Sequence, residues 1–484
     1  MNGHRRFLQQ GRTRAVAATS LTVLLSALVV LAAPRMARSN QSERAADARS
    51  EARHAIMISV DGLMPASYTE ADARGLKIPA LRELMAHGAW SPGVVGVMPA
   101  ATYPSHTTMV TGVSPRVHGI LTNVVFDPMG TRDGEWYWYE SEIRVPTLWQ
   151  VARAQGLRTA LISWPVTMGA QGDAVMPEFW RGRGIDETKL IPAIATPGLW
   201  ERVSKRFPGF EAGFEVSPAM DESLADAAVD IIERERPNLL LLHLPRVDHE
   251  QHEHGPWSPE ALAAIEAADT QIGRVMEAAH KAGIWTNTLF LVVSDHGFAR
   301  VEKSFRPGVV LRQRGLISTD DKGRITSWRA AAAGSAGSAY IYLRDPADTG
   351  AADSVQELFR SLAGHPGSGI RRVLSRDDIA SLGGDSQALL AIEPEDGFSF
   401  AGGVAGEAIV PATTPGIHGF PPDREFMRSS LIIQGPGVRT GRIEGVRMVD
   451  FAPTVAQWLG LRLERVEGKP ITAVSAAHTA AHSN

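Results

Sequence analysis

The stretch HAIMISVDG, residues 54–62, decides the fold of this chain. Its first seven residues are largely apolar and include β-branched members, and Asp61-Gly62 ends the run with turn-forming residues. A half-exposed strand alternates apolar and polar side chains, whereas a continuous apolar run suits a strand covered on both faces. The stretch therefore predicts a buried strand with a polar turn at its carboxyl end.

The same design recurs along the chain, at NLLLLHL (238–244), TLFLVVS (288–294) and SLII (430–433). Helical spacing of apolar residues lies between these runs, at 146–155, 224–236 and 259–282. Strands that alternate with helices predict an α/β fold with a mostly parallel central sheet and helices on both faces. Ligands of such sheets bind at the carboxyl ends of the strands, which is where the polar residues stand here.

Composition narrows the chemistry. Of 484 residues, 44% are hydrophobic and 21% charged, which is ordinary globular usage. Because the chain has no cysteine, disulfides, thiolate metal sites and cysteine nucleophiles are excluded. Any metal must be held by His, Asp and Glu.

Charge is concentrated at the N-terminus. Residues 1–40 carry six arginines and no acid, so removing these six positive charges from the total of −4 leaves −10 for the remainder. An acidic body argues against a specific nucleic-acid binding surface.

The N-terminal segment is typical of an export signal. Four arginines precede an apolar run at 15–33, which predicts a signal peptide within residues 1–40 and an exported, periplasmic or secreted protein. The run is almost long enough to span a bilayer, so an N-terminal membrane anchor stays open as the alternative.

The remaining chain is divided by composition. Residues 41–53 are polar and predict a linker, and 54–472 predict the catalytic domain. Within that domain, 304–411 is rich in Gly and Ala with shorter strand-like pieces, which predicts a smaller inserted subregion. Residues 473–484 predict a disordered tail.

Six possible metal ligands follow the predicted strands or stand in exposed turns. Carboxylates and imidazoles in two sets are what two-metal hydrolysis requires. Asp248 and His252 stand four residues apart, which places both side chains on one face of a helix. The six residues are Asp61, Asp248, His252, Asp295, His296 and His418.

The nucleophile candidate is Thr102, in the stretch MPAATYPSH at 98–106. It precedes a predicted helix at 105–111, and a helix N-terminus offers N–H groups and partial positive charge to a phosphoryl oxygen. Threonine is a poor nucleophile unless its hydroxyl is activated, for which a bound metal ion suffices.

Taken together, these motifs resemble the nucleotide pyrophosphatase/phosphodiesterase family of the alkaline phosphatase superfamily. The resemblance rests on the order of SVDG (59–62), ATYPSH (101–106), HGILTN (118–123), SDHG (294–297) and GIHG (416–419), with Asp248 to His252 between them. It implies an alkaline-phosphatase-like fold and hydrolysis of phosphodiester or pyrophosphate bonds in small phosphate esters.

The resemblance also implies roles for the residues. Asp61, Asp295 and His296 would hold the zinc ion that activates Thr102, and Asp248, His252 and His418 would hold a second zinc ion. Thr102 would form a phosphothreonine. Asn123 would help the Thr102 N–H to hold the phosphoryl oxygen.

The substrate is less defined than the chemistry. Tyr103 and Trp164 are candidates for stacking on a base or an aromatic leaving group, with core packing as the alternative. Ala101 stands where many relatives carry a lysine. Arg181 and Arg183 keep open a phosphate monoesterase, and a phosphonate or lipid head-group hydrolase is a further alternative. A non-catalytic binding protein is a remote alternative, because active sites that no longer catalyse a reaction usually lose metal ligands.

Overall fold

Strands and helices alternate along the chain as the apolar runs predict. The computed structural model describes residues 52–132, 134–179, 190–214, 219–334 and 336–474. The strands are β1 (His54–Val60), β2 (Ala89–Val94), β3 (Thr159–Ile162), β4 (Ala174–Met176), β5 (Leu239–Leu244), β6 (Thr288–Val293), β7 (Ala299–Phe305), β8 (Ile317–Thr319), β9 (Ile325–Trp328), β10 (Ala330–Gly334), β11 (Ala339–Leu343), β12 (Ile370–Leu374), β13 (Leu390–Pro394), β14 (Gly397–Phe400), β15 (Ile409–Pro411), β16 (Gly416–Ile417), β17 (Ser429–Gln434) and β18 (Gly441–Arg442).

Helices connect these strands. The α-helices are α1 (Ala66–Thr69), α2 (Pro79–His87), α3 (Thr102–Thr111), α4 (Pro115–His118), α5 (Leu148–Ala154), α6 (Ile191–Ile194), α7 (Leu199–Arg206), α8 (Phe210–Gly213), α9 (Met220–Glu235), α10 (Arg246–His254), α11 (Pro259–Lys281), α12 (Pro307–Gln313), α13 (Thr349–Leu362), α14 (Arg376–Ser381) and α15 (Phe451–Leu459). Short 3₁₀ turns lie at Glu140–Glu142, Trp285–Asn287, Glu425–Met427 and Met448–Asp450.

The central sheet has eight strands in the order β18-β2-β17-β6-β1-β5-β3-β4. β1 pairs in parallel with both β5 and β6, and β3 pairs in parallel with β5 and β4. β17 runs antiparallel to its neighbours β6 and β2. The prediction of a mostly parallel sheet is confirmed.

Each face of the sheet carries its own core, as the continuous apolar strands require. Ile56, Ile58 and Val60 of β1 pack with residues of α2, α9 and α11 on one face. Ala55 and Met57 pack on the other face with residues of α3, α5 and α15. Burial of alternate residues against helices on both sides explains why β1 lacks the polar alternation of a half-exposed strand.

The predicted insertion, residues 304–411, contains sheets of its own. β10, β11, β13 and β12 form an antiparallel sheet, and α13 packs against it over a core that includes Ile341, Phe359 and Ile392. The N-terminal boundary falls inside β7, which starts at Ala299 and pairs with β14 and β15.

An ionic cluster around the buried Glu393 joins this insertion to the rest of the domain. Glu393 of β13 is fully buried and accepts hydrogen bonds from Arg372 of β12 and from Arg424. Arg372 also donates to both oxygens of Asp423, at 2.9 and 2.8 Å. Arg424 and Asp423 lie in the segment that follows His418, so the insertion is bonded directly to that segment.

The described C-terminus extends two residues beyond the predicted end of the domain at 472. Ala473 and Val474 are buried, and the Ala473 carbonyl accepts a hydrogen bond from the Arg439 N–H at 2.9 Å. Both residues therefore belong to the folded domain, which corrects the predicted start of the tail at 473. Residues 475–484 lie outside the described residues.

The predicted signal or anchor, with its apolar run at 15–33, and most of the linker also lie outside the described residues. Among the residues that the structure does describe, no helix is long and apolar enough to cross a membrane.

Asp269 of α11 caps a neighbouring helix. Its carboxylate accepts the backbone N–H groups of Ala80 and Leu81, at 3.0 and 2.8 Å, in the first turn of α2. The N-cap residue of α2 is Ile78, whose apolar side chain cannot accept a hydrogen bond. Asp269 therefore satisfies N–H groups that a helix start leaves without intrahelical partners.

Replacing Asp269 by alanine is expected to lower the free energy of unfolding by about 1–3 kcal/mol, because two buried N–H groups lose their acceptor. Urea denaturation measures this. Glu277→Ala, which removes an exposed acid from the same helix, is the control and should cost much less. Equal losses in the two variants would contradict the capping role.

Candidate active site

Parallel pairing brings the predicted metal ligands to one edge of the sheet. Asp61 follows β1, and Asp295 and His296 follow its neighbour β6 by one residue. Asp248 and His252 lie in α10, directly after β5, on the other side of β1. His418, the residue directly after β16, also lies at this edge.

The first group of ligands consists of Asp248, His252 and His418. The Asp248 Oδ1 lies 3.4 Å from the His252 Nε2 and 3.6 Å from the His418 Nε2. One ligand atom from each residue lies within 4.8 Å of the others. The predicted spacing of four residues is realised on one helical face of α10.

The second group consists of Asp61, Asp295 and His296. The His296 Nε2 lies 3.0 Å from the Asp295 Oδ2 and 3.3 Å from the Asp61 Oδ1. Asp248 belongs here as well, since it offers a ligand atom within 4.8 Å of Asp61 and His296. Asp248 therefore faces both groups. The division implied by the family resemblance, with three ligands for each ion, assigns Asp248 to one group only.

Two histidines have their tautomers set by backbone carbonyls. The His252 Nδ1 lies 2.9 Å from the Gly416 oxygen, and the His418 Nδ1 lies 3.3 Å from the Ala100 oxygen. A carbonyl can only accept, so each Nδ1 carries a proton and each ring turns its Nε2 to the group. This arrangement is typical of histidines that bind metal ions.

The electrostatics of the site fit divalent cations. Burial and the nearby carboxylates of Asp295 and Asp248 raise the pKa of Asp61 well above its ordinary value. Burial and the neighbouring His296 ring lower the pKa of His418 to about 3, so this ring is neutral at pH 7. Carboxylates that repel one another beside a neutral imidazole are suited to a bound cation.

Unsatisfied oxygens point to the same chemistry. The Asp61 Oδ1, Asp248 Oδ1 and Asp295 Oδ2 are buried without a hydrogen-bond partner among the described residues. Buried polar atoms are nearly always paired, and unpaired ones call for an explanation such as a bound ion. The donor set of carboxylate oxygens and imidazole nitrogens suits zinc.

Thr102 lies beside the second group. Its Oγ1 is 3.5 Å from the His296 Nε2, and the residue is largely buried. The helix predicted at 105–111 starts earlier, because α3 begins at Thr102 with Ala101 as its extended N-cap. Pro104 did not prevent this, since proline is tolerated in the first turn of a helix.

Asn123 is held next to Thr102. Its Oδ1 accepts the backbone N–H of Tyr103 at 2.9 Å, which leaves the NH₂ group of the amide as the donor end.

The two aromatic residues predicted to contact substrate lie in the interior. Tyr103 is fully buried, and its ring packs edge-on against Trp136 and Trp138. Trp164 is also fully buried, with its ring 4.9 Å from that of His106. Because neither ring has an exposed face in this structure, neither can stack on a substrate as placed.

A family model described as type I phosphodiesterase/nucleotide pyrophosphatase matches residues 55–421, most of the chain. The chain belongs to this family. The resemblance inferred from the ordered motifs is thereby confirmed.

Curated relatives match this chain over only part of their own length. An uncharacterized pyrophosphatase/phosphodiesterase of Schizosaccharomyces pombe is 28% identical over 257 residues, which cover 50% of this chain and 44% of the relative. Human ectonucleotide pyrophosphatase/phosphodiesterase family member 1 is 24% identical over 252 residues, 50% of this chain and 23% of the relative. The matched stretch thus spans less than half of each relative.

Solved structures share the fold over most of their length. Murine ectonucleotide pyrophosphatase/phosphodiesterase 5, an inactive variant in complex with AMP, aligns with a TM-score of 0.60 at 18% identity, covering 87% of this chain and 98% of that one. The human protein of the same name aligns with a TM-score of 0.59 at 18% identity, covering 86% and 97%. The alkaline-phosphatase-like fold class predicted from the sequence is confirmed.

Sequence analysis missed polar residues beneath the site of this family member. His243 lies in β5, with its Nε2 3.0 Å from the Asp61 Oδ2 and its Nδ1 2.8 Å from the Glu178 Oε2. Burial acts to lower the pKa of His243, but Glu178 and Asp61 outweigh it and raise the pKa well above its ordinary value. The available signal was a single histidine inside the leucine run of β5.

Zinc added to the metal-free protein is expected to raise its unfolding midpoint. A site bound at a free zinc concentration 100-fold above its dissociation constant stabilises the fold by about 2.7 kcal/mol. Asp248→Asn should lose most of this gain, because Asp248 faces both ligand groups. Thermal unfolding with and without zinc measures the effect.

The matched control is Asp353→Asn, which changes an exposed aspartate of α13 and should keep the full zinc-induced shift. If Asp248→Asn responded to zinc as fully as this control does, the assignment of Asp248 as a ligand would be contradicted.

Proposed function

We propose that this protein is a two-metal hydrolase that cleaves phosphodiester or pyrophosphate bonds of nucleotides or similar small molecules through a phosphothreonine on Thr102. The observation that carries the proposal is the convergence of six carboxylate and imidazole side chains beside the Thr102 hydroxyl. Membership of the type I phosphodiesterase/nucleotide pyrophosphatase family supports the same reaction class.

The six side chains would hold two zinc ions. Asp61, Asp295 and His296 would hold the ion beside Thr102, and Asp248, His252 and His418 would hold the second, with Asp248 also close to the first group. The side chains of Asp248 and His252 are 19% and 24% exposed, whereas those of Asp295 and His296 are fully buried. This difference supports an orientation in which the leaving group departs on the open side. When bound, the two ions supply positive charge at the attacking and leaving oxygens.

Thr102 carries the covalent chemistry. Its Oγ1 forms a bond to phosphorus while the bond from phosphorus to the leaving oxygen breaks, and the hydroxyl proton ends on the released alcohol or phosphate. Water then attacks the phosphothreonine, so that its hydroxyl oxygen stays on phosphorus and its other proton restores the Thr102 hydroxyl. The net reaction consumes one water for each bond cleaved.

Two groups of the chain stabilise the charge that develops on the phosphoryl oxygens. Thr102 is the first residue of α3, whose amino end carries partial positive charge. The Asn123 amide has its oxygen engaged by the Tyr103 N–H, so its NH₂ group is available to donate to a phosphoryl oxygen.

The substrate class is supported by the relatives. Three of them are named as ectonucleotide pyrophosphatase/phosphodiesterases, and one was solved with AMP. A phosphate monoesterase would need further positive charge near the phosphate. Arg181 and Arg183, the residues that kept this alternative open, lie outside the described residues. Export, predicted from residues 1–40, is part of the proposal.

Comparing substrates tests the diesterase assignment. We expect kcat/KM for bis-p-nitrophenyl phosphate and for the p-nitrophenyl ester of thymidine 5′-monophosphate to exceed that for p-nitrophenyl phosphate. All three release the same chromophore, so one absorbance assay is sufficient. A clear preference for the monoester would replace the diesterase with a monoesterase.

Thr102→Ala is expected to abolish turnover, because the variant lacks the hydroxyl oxygen that bonds to phosphorus, while bound zinc persists. Activity assays and elemental analysis of metal content measure the two quantities. The matched control is Thr111→Ala, since the Thr111 hydroxyl donates only along its own helix, to the Thr107 carbonyl at 2.7 Å. A Thr102→Ala enzyme with most of its activity would rule out the covalent mechanism.

A further inference from the structure

A path of hydrogen-bonded residues runs beneath the site, between two residues of the proposed machinery, and all of its bonds except the one to Asn123 are buried. The His243 Nε2 lies 3.0 Å from the Asp61 Oδ2, and the His243 Nδ1 lies 2.8 Å from the Glu178 Oε2. The Tyr103 hydroxyl donates to the Glu178 Oε1 at 2.8 Å. The Tyr103 backbone N–H donates to the Asn123 Oδ1 at 2.9 Å.

The first part of this path follows the order of strands in the sheet. Asp61 follows β1, His243 is the fifth of six residues in β5, and Glu178 follows β4, while β3 lies between β5 and β4. The His243 Nδ1 also lies 3.0 Å from the carbonyl oxygen of Ser163, which follows β3. The path is therefore anchored on four neighbouring strands, whose backbone hydrogen bonds keep it rigid.

The path fixes how both terminal groups are presented. With its Oδ2 engaged by His243, Asp61 turns its Oδ1 towards the site, 3.3 Å from the His296 Nε2. With its Oδ1 engaged by the Tyr103 N–H, Asn123 keeps its NH₂ group as the free end of the amide. Both groups are oriented by bonds to the same set of residues.

Tyr103 is placed to act through its neighbours. Its ring is fully buried, with ring centroids of Trp136 and Trp138 at 5.2 and 5.8 Å. Its hydroxyl is engaged by Glu178 and its N–H by Asn123. Tyr103 therefore contacts both acceptors, Glu178 through its side chain and Asn123 through its backbone.

We propose that His243, Glu178 and Tyr103 are positioning residues that hold the metal ligand Asp61 and the phosphoryl-binding Asn123 in a fixed relation. The proposal rests on the proposed function, because it takes the roles of Asp61 and Asn123 from it. Partners that orient metal ligands typically contribute about 10–100-fold to metal affinity or activity.

Zinc affinity tests the His243 end without any turnover. We expect His243→Asn to weaken zinc binding by about 10–100-fold, measured by competition with a chromophoric chelator. Glu178→Gln keeps the side-chain shape but replaces one of two acceptor oxygens, so it should weaken zinc binding in the same direction. It also provides a second measurement if His243→Asn folds poorly.

The matched control is His54→Asn. His54 is a buried histidine at the first residue of β1, with its Nδ1 2.7 Å from the Pro237 carbonyl, and it lies roughly 20 Å along the strand from Asp61. This variant should bind zinc as the wild type does. Wild-type zinc affinity in both His243→Asn and Glu178→Gln, or an equal loss in His54→Asn, would overturn the proposal.

Tyr103→Phe tests the bond between Tyr103 and Glu178, and it keeps the backbone N–H that holds Asn123. Phenylalanine keeps the ring and removes only the hydroxyl that bonds Glu178, so a stacking role would leave the enzyme unchanged. Positioning predicts a fall in kcat of about tenfold with KM unchanged, equally for bis-p-nitrophenyl phosphate and methyl p-nitrophenyl phosphate. Wild-type kcat in this variant would remove Tyr103 from the network.

The two proposals fail in different ways. A wild-type protein that binds zinc but hydrolyses neither diester would overturn the proposed function. The comparison of zinc affinities between His243→Asn and His54→Asn would still decide whether the network positions Asp61.

Discussion

The structure depends on holding carboxylates together against their mutual repulsion. Parallel pairing of β1 with β5 and β6 brings Asp61, Asp248 and Asp295 to one buried sheet edge. Gathering charges in a low-dielectric interior is costly unless cations or hydrogen bonds compensate. The fold supplies the hydrogen bonds through His243 and the Gly62 N–H, which donates to Asp295 at 3.0 Å. Unpaired oxygens remain for cations.

Much of this arrangement follows from sequence because it arises from strand order. A polar residue directly after an apolar run must lie at the sheet edge, so Asp61, Asp295 and His296 could be located before the fold was known. Asp248 and His252 followed from helical spacing. His418 could not be located in this way, since it stands in a turn after the insertion, and only the ordered motifs indicated it.

The burial of individual side chains could not be predicted from the sequence. Tyr103 and Trp164 have aromatic rings that could stack on a substrate, but whether a ring is exposed depends on which distant segments of the chain cover it. For Tyr103 these are Trp136 and Trp138, more than thirty residues further along the chain. His243 was missed for the opposite reason, because a polar residue within a leucine run gives no indication that two carboxylates will flank it.

The ionic cluster around the buried Glu393 links the insertion to the segment that follows His418. Arg424, which it holds, is six residues beyond His418, so the position of that ligand is coupled to the folding of residues 304–411. The insertion is consequently not an independent unit that can be exchanged by itself. Exchanging it between relatives would have to include the segment that follows His418 as well, or the exchange would break the ionic contacts that hold this segment in place.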